Sequence, residues 1–209
     1  MYQPPHFRVE DRAALLDVIR AHPLGLLVTS GESGLMANPI PFTLAGEGEA
    51  VRLRAHLARP NPQWRELADG AAPLVIFQGE GHYISPSWYA TKAETHKVVP
   101  TWNYVMVQVR GKARVDESAE FLRPQIEALT AQHEGKRAAP WGVEDAPEAF
   151  IAAQMRGIVG IEIEIKEMIG KFKLSQNRNA ADQAGVIAGL QADGDAEALA
   201  MAKRMEAQL

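Results

Sequence analysis

Residues 157–174, GIVGIEIEIKEMIGKFKL, form the clearest alternating run in the chain. Ile158, Ile161, Ile163 and Ile165 are apolar, while Glu162, Glu164 and Lys166 face the other way on an extended backbone. This is the pattern of a long, half-buried strand. The N-terminal part has a related rhythm. Residues 25–30, GLLVTS, read as a strand, residues 31–34 as a turn, and residues 35–44, LMANPIPFTL, as a second strand. Pro39 and Pro41 mark that second strand as an edge, bulged or ligand-facing one, because proline cannot donate to a ladder. A turn at residues 46–49 leads to AVRLRAHL, a third strand with period-two alternation. Two further strands are expected around residues 74–78 and 104–115. Strand, turn, strand at short spacing predicts an antiparallel meander, and a barrel over a sandwich. The chain carries no GxGxxG or Walker loop that would point to a βαβ sheet.

Helical signals are fewer. Asp11 is a good N-cap for DRAALLDVIRAHP, with Leu15, Leu16, Val18 and Ile19 apolar and Pro23 past the end. Residues 58–70 predict a short connecting helix starting near Asn61, with Pro62 in its first turn. Residues 117–136 predict a helix interrupted by Pro124, residues 138–157 a loop with a further short helix, and residues 182–209 a mostly helical tail. The expected total is roughly six or seven strands and about four helices. The 209 residues suit a single domain, with residues 182–209 as a C-terminal helical appendage within it.

Hydrophobic content of 46% and charged content of 23% are those of a globular protein with a sizeable core. The absence of cysteine excludes disulfides, thiolate metal sites and cysteine nucleophiles, and fits a reducing compartment. No run approaches about 20 apolar residues, and MYQPPHFRVED has neither a basic n-region nor an apolar h-region. The expectation is a cytoplasmic protein with no membrane span. A net charge of −4 argues against an autonomous DNA-binding domain, which usually shows a basic face.

Three blocks carry candidate chemistry. Residues 81–104, GHYISPSWYATKAETHKVVPTWNY, place Trp88, Tyr89 and Trp102 around Lys92, His96 and Lys97 between two strands. Aromatic faces, hydroxyls and cations together suit a planar, anionic ligand such as a flavin phosphate. Ser85 and Ser87 bracket Pro86 there, so this is either a ligand loop or a strand end whose aromatics cap the core. Trp102 and Tyr104 share one strand face and Asn103 takes the other, free to bond an isoalloxazine, a partner chain or a local backbone group. In AHLARPNPQW a strand gives way to a helix at His56 and Arg59. Cations beside unpaired helix amides make a phosphate site, and the competing reading pairs Arg59 with a nearby glutamate. In GKFKLSQNRNAADQ, Lys171, Lys173 and Arg178 are interleaved with Ser175, Gln176 and Asn177. That cluster is either a second anion-facing edge or a solvated connection.

The six histidines show no HxH, HExxH or HxxxH spacing, so no metal site is expected. No GxSxG elbow is present, and His82 with Ser85 does not make a triad. No catalytic residue is assigned.

Taken in order, MYQPPHF, HLARPNPQW, HYISPSWY with VPTWNY, and GKFKLSQNR with its following AD resemble the PaiB-type FMN-binding transcriptional-regulator family. The resemblance covers nearly the whole chain. It implies a mainly β, α+β fold: an FMN-binding split β-barrel with peripheral helices and a C-terminal helix, akin to pyridoxamine-phosphate oxidases and flavin reductases. It also implies a homodimer with FMN at the subunit interface. Carried onto this sequence, the strand with Met36, Asn38 and Pro39 lies along the isoalloxazine. Arg59 sits near the phosphate with His56 and Asn61. Ser87 and Trp88 belong to the ligand loop, Trp102 and Asn103 approach from the partner chain, and Lys171, Lys173 and Gln176 close the site. The helix start departs from the oxidases, with Pro60 and Asn61 where those carry a denser set of Arg, Ser and Lys. No helix-turn-helix stands out.

Three functions compete. The first is an FMN-binding regulator that senses flavin or redox state and acts through DNA or a regulatory partner. The second is a flavin-dependent oxidoreductase using NAD(P)H, with Lys92, His96 and Lys97 holding an anionic substrate. The third is a haem-binding split barrel with His82 or His96 as axial ligand.

Overall fold

The structure is a computed structural model that describes residues 1–32 and 34–208. In chain order the elements are β1 (Arg8–Val9), α1 (Arg12–Ala21), β2 (Leu24–Gly31), β3 (Gly34–Pro41), β4 (Thr43–Ala45), β5 (Arg52–Ala58), α2 (Gln63–Ala68), β6 (Leu74–Ile84), α3 (Thr91–Thr95), β7 (Thr101–Asp116), α4 (Ala119–Glu134), α5 (Glu148–Met155), β8 (Ile158–Lys173), α6 (Ala180–Asp193) and α7 (Ala196–Glu206). Hydrogen bonds order the sheet β3-β2-β6-β7-β8-β5-β4, with β1 added on β8. Ser33, within the expected turn at residues 31–34, and Leu209, last of the expected helical tail, lie outside the described residues.

The chain divides into two compact units. One comprises Ile19–Phe77 and Gln108–Met168. Here β2 pairs antiparallel with β3 and β6, and β5 pairs antiparallel with β4 and β8. The period-two pattern of β8 works as expected: Ile161 and Ile163 are fully buried, opposite Ala55 and Leu53 of β5. Phe42 and Phe77 meet edge to face at 5.7 Å in the same core. Fully burying such side chains is worth about 1.5–3 kcal/mol each, which makes this register hard to slip.

Two expectations are corrected in this unit. The run at residues 35–44 is not one strand. It breaks at Phe42 into β3 and β4, which stand at opposite ends of the strand order. Pro41 has no N–H for the ladder, and the Phe42 N–H turns away to donate to Pro23 O at 2.9 Å while its ring enters the core. The helix at residues 117–136 is not interrupted. α4 runs through Pro124, which is exposed, so the carbonyl left without a donor faces water. Ser118 caps α4 by accepting from the Phe121 N–H.

The other unit comprises Met1–Val18, Gln78–Val107 and Ile169–Leu209. In it β1 pairs antiparallel with β8, Arg8 opposite Lys171. α1 follows Asp11, whose carboxylate accepts from the Ala13 N–H, and its Leu15 packs so closely on Gly170 that any side chain there would collide. The expected tail is two helices, broken at Gly194, whose φ of 72° no ordinary side chain adopts easily. Asn179 and Asp195 cap α6 and α7, each side chain accepting a backbone N–H at 2.8 Å. Val186 and Leu190 of α6 and Met201 and Met205 of α7 are buried, and the two helices pack on each other. The strands run longer than expected. β6 takes in the GHYI of the aromatic block, and β7 begins at Thr101.

Candidate functional site

In the unit built on β2–β5, the hairpin β2–β3 forms an edge, as the prolines predict. Its two faces differ sharply. Cross-strand partners share a face, and one face pairs Leu24 with Pro41, Leu26 with Pro39, Val28 with Ala37 and Ser30 with Leu35. Leu74 and Ile76 of β6 extend it, opposite Val28 and Leu26. Leu24, Leu26 and Leu35 are 63%, 37% and 80% exposed, and no charged residue interrupts the patch. Pro39, one of the expected ligand contacts, lies on this open face.

Met36 and Asn38 lie on the other face, and Gln63 claims them. Its side chain is fully buried. Nε2 donates toward Leu27 O at 3.1 Å, Thr29 Oγ1 at 3.2 Å and Met36 O at 3.3 Å. Oε1 accepts from Asn38 Nδ2 at 2.8 Å and from Asn61 Nδ2 at 3.4 Å. Asn61 Oδ1 accepts the Gln63 backbone N–H at 3.1 Å. Thr29 in turn donates to Glu66 of α2. One amide therefore ties β2, β3 and the start of α2 together. The expected contacts Asn38 and Asn61 are brought together, with their amides committed to the protein.

The β5–α2 junction is similarly committed. The Arg59 guanidinium binds Glu117 and donates to Arg156 O at 2.8 Å and Ile158 O at 3.2 Å. Of the two readings of Arg59, the glutamate pair is the one seen. Trp64 Nε1 donates to Arg59 O at 2.9 Å. His56 Nδ1 lies 2.6 Å from Gln125 Oε1, while Gln125 Nε2 is buried without a partner among the described residues. The open apolar face thus suits a planar ring, whereas the Arg59 guanidinium at this junction is already engaged by Glu117 and two carbonyls.

The remaining candidates lie in the other unit. Trp88 is wedged against α6, with its indole on Gly189 and its carbonyl against Gly185. His82 stacks loosely on it at 6.4 Å, with Nδ1 near Tyr83 O and Nε2 3.6 Å from Asp195. His96 is exposed, at the left-handed C-terminus of α3. Ser87 Oγ accepts from Lys92 Nζ at 3.1 Å. Trp102 is 57% exposed and meets Tyr83 edge to face. Asn103 takes the opposite face, as alternation requires, and is fully buried. It exchanges hydrogen bonds with the Ser175 hydroxyl at 2.9 and 3.2 Å. Gln176 accepts from Leu174 N–H and donates to Phe172 O, bracing its own turn. Lys171 lies 5.4 Å from each of the Tyr2 and Tyr104 rings. Burial pushes the Lys173 ammonium below its usual range, and the positive Lys171 and Arg178 push it further.

Gln63, Gln125 and Thr101 were not among the sequence-derived candidates. Gln63 sits inside the NPQW motif and bonds Asn61 there, but its other partners come from β2 and β3, and nothing local in the sequence names those. Among the described residues no helix is long and apolar enough to cross a membrane.

A family described as "Putative FMN-binding domain" matches residues 1–167. The Bacillus subtilis protein named protease synthase and sporulation protein PAI 2 is 32% identical, covering 100% of this chain and 98% of that one. The chain belongs to the PaiB-type FMN-binding family. Solved structures of other proteins share its split β-barrel fold. A conserved hypothetical protein from Mycobacterium tuberculosis matches with a TM-score of 0.60 at 13% identity, covering 85% of this chain and 92% of its own. A Mycobacterium smegmatis protein described as FAD and heme binding matches with a TM-score of 0.57 at 16% identity, covering 90% and 80%. Membership of the PaiB-type family makes this a flavin-binding split-barrel protein.

Proposed function

We propose that the protein binds FMN as a homodimer, with the isoalloxazine and the partner subunit on the apolar face of β2, β3 and β6, and that flavin state governs a regulatory output. The observation that carries the first part is that face. It is contiguous, uncharged and exposed, on an edge hairpin whose inward side is already locked by Gln63. Monomeric proteins rarely leave such a patch open, and a symmetric partner covers it at no cost in new sequence. Family membership supports FMN as the ring that occupies it. The full-length likeness to a Bacillus protein named for protease synthesis and sporulation supports regulation over turnover. The protein is taken to act in the cytoplasm.

Flavin fluorescence titrations with FMN, riboflavin and FAD test the ligand, and light scattering tests the dimer. The reading predicts saturable quenching by FMN and a mass of two chains. It predicts, further, that promoter DNA or a regulatory partner is retained differently with oxidised and reduced flavin. Steady NAD(P)H turnover with no such difference would replace regulation with catalysis. Haem is the competing ligand, because a protein of this fold is described as binding both FAD and haem. A Soret band on haem titration that FMN does not displace would favour it.

A further inference from the structure

Arg178 is half-buried, yet among the described residues its guanidinium has no hydrogen-bond acceptor and no carboxylate partner. Its guanidinium carbon sits over the Tyr89 ring, 4.5 Å from the centroid, a contact that uses none of its five N–H donors. Tyr89 is 3% exposed, and its hydroxyl is buried without a partner. Lys173 Nζ donates to Thr101 Oγ1 at 2.6 Å and to Trp102 O, which leaves one of its three protons. Tyr89, Thr101, Lys173, Ser175, Asn177 and Arg178 line one cavity of about 110 Å³.

Each of these groups lacks the same thing. Like charges gather here: the charged neighbours that act on Lys173 are Lys171 and Arg178, both positive. A buried hydroxyl without a partner costs about 1–3 kcal/mol, and close cations repel, unless a ligand supplies acceptors. The volume decides the size of that ligand. It is a few times the ~30 Å³ share of one water, and well below the roughly 300 Å³ at which cavities begin to enclose a whole organic molecule.

We propose that this cavity is a binding site for a small oxyanion of the phosphate class, held by the Arg178 guanidinium, the remaining Lys173 proton and the Tyr89 hydroxyl. Arg178 supplies in-plane donors that suit two oxygens at once, and Lys173 supplies a point charge. Ser175 holds its lining position at a φ of 66°, and its hydroxyl is fixed by Asn103, so the wall is built before the anion arrives. The oxyanion is either free inorganic phosphate or the terminal phosphate of a nucleotide. The proposal does not depend on the flavin reading.

Calorimetric titration of flavin-free protein with sodium phosphate, against sodium chloride at equal ionic strength, tests it. Phosphate is expected to bind to the wild type, and at least tenfold more weakly to Arg178→Met and Lys173→Met. Binding is expected to be unchanged in Lys136→Met, a control for net charge. Tyr89→Phe removes one oxygen atom and is expected to weaken binding several-fold, so the site stays testable if an Arg178 variant does not fold. Repeating the titration with FMN present separates the sources. Competition assigns the site to the nucleotide's phosphate, and undiminished binding assigns it to the free anion. No heat beyond chloride, or equal binding by Arg178→Met and Lys136→Met, would overturn the proposal.

Discussion

Gln63 shows how much one side chain can hold. Replacing it by Leu, of similar size, leaves the Asn38 and Asn61 amides and the Leu27 and Met36 carbonyls without their partner. Each buried group left unpaired costs about 1–3 kcal/mol, so Gln63→Leu is expected to lose about 3 kcal/mol or more in urea unfolding. Asn103→Ala is expected to cost about 1–3 kcal/mol by the same measurement, because it strips Ser175 of its bonds. The face that Asn103 takes was legible from alternation alone. Its role was not, since Ser175 lies 72 positions away in the sequence. Arg59 repeats the lesson, because Glu117 comes 58 positions later. Acid stability also belongs to this scale. The Ala198 N–H at the start of α7 holds the Asp195 carboxyl below its usual range, with His82 adding to the effect. The unfolded chain therefore takes up that proton more readily. Its stabilisation is complete above the ordinary carboxylate pKa and is lost as pH falls through the folded value. Asp195→Asn keeps the cap, so its urea midpoint is expected to fall less steeply with acid than that of the wild type.

At the scale of elements, helix α6 carries a glycine that propensity alone would replace. Gly189→Ala gains about 1 kcal/mol of helix propensity. A Cβ there would stand 2.4 Å from the Trp88 ring, and overpacking of this kind costs about 1–3 kcal/mol. The substitution is expected to destabilise, seen as a lowered Tm and a changed Trp emission. Asn179→Ala, which removes the cap of α6, is expected to cost about 1 kcal/mol in the same assay. The alternation of β8 and the cap of α1 were readable because strand and cap rules act over a few residues. The break at Phe42 was not, because it depends on Pro23 O and on a core that only the folded chain assembles. Trp88 carried the right chemistry for a ligand loop, but its indole is spent on Gly189 and its carbonyl on Gly185 of α6, another distant pairing.

At the scale of the whole molecule, the account rests on the open face of β2, β3 and β6. The prolines announced an edge strand. The outward row of Leu26, Pro39, Ala37 and Leu35 could be recognised only once the register was known. Ala37 is exposed, so Ala37→Glu should leave folding within about 0.5 kcal/mol of wild type while placing a charge where the ring and partner would sit. The deciding measurement is the visible absorbance of wild type and Ala37→Glu after incubation with FMN and desalting, with the mass of each taken on the same sample. The account predicts a retained flavin spectrum and a dimer for the wild type, and a colourless, folded monomer for Ala37→Glu. A wild type that keeps no flavin, or an Ala37→Glu protein that keeps as much flavin as a dimer, would contradict it.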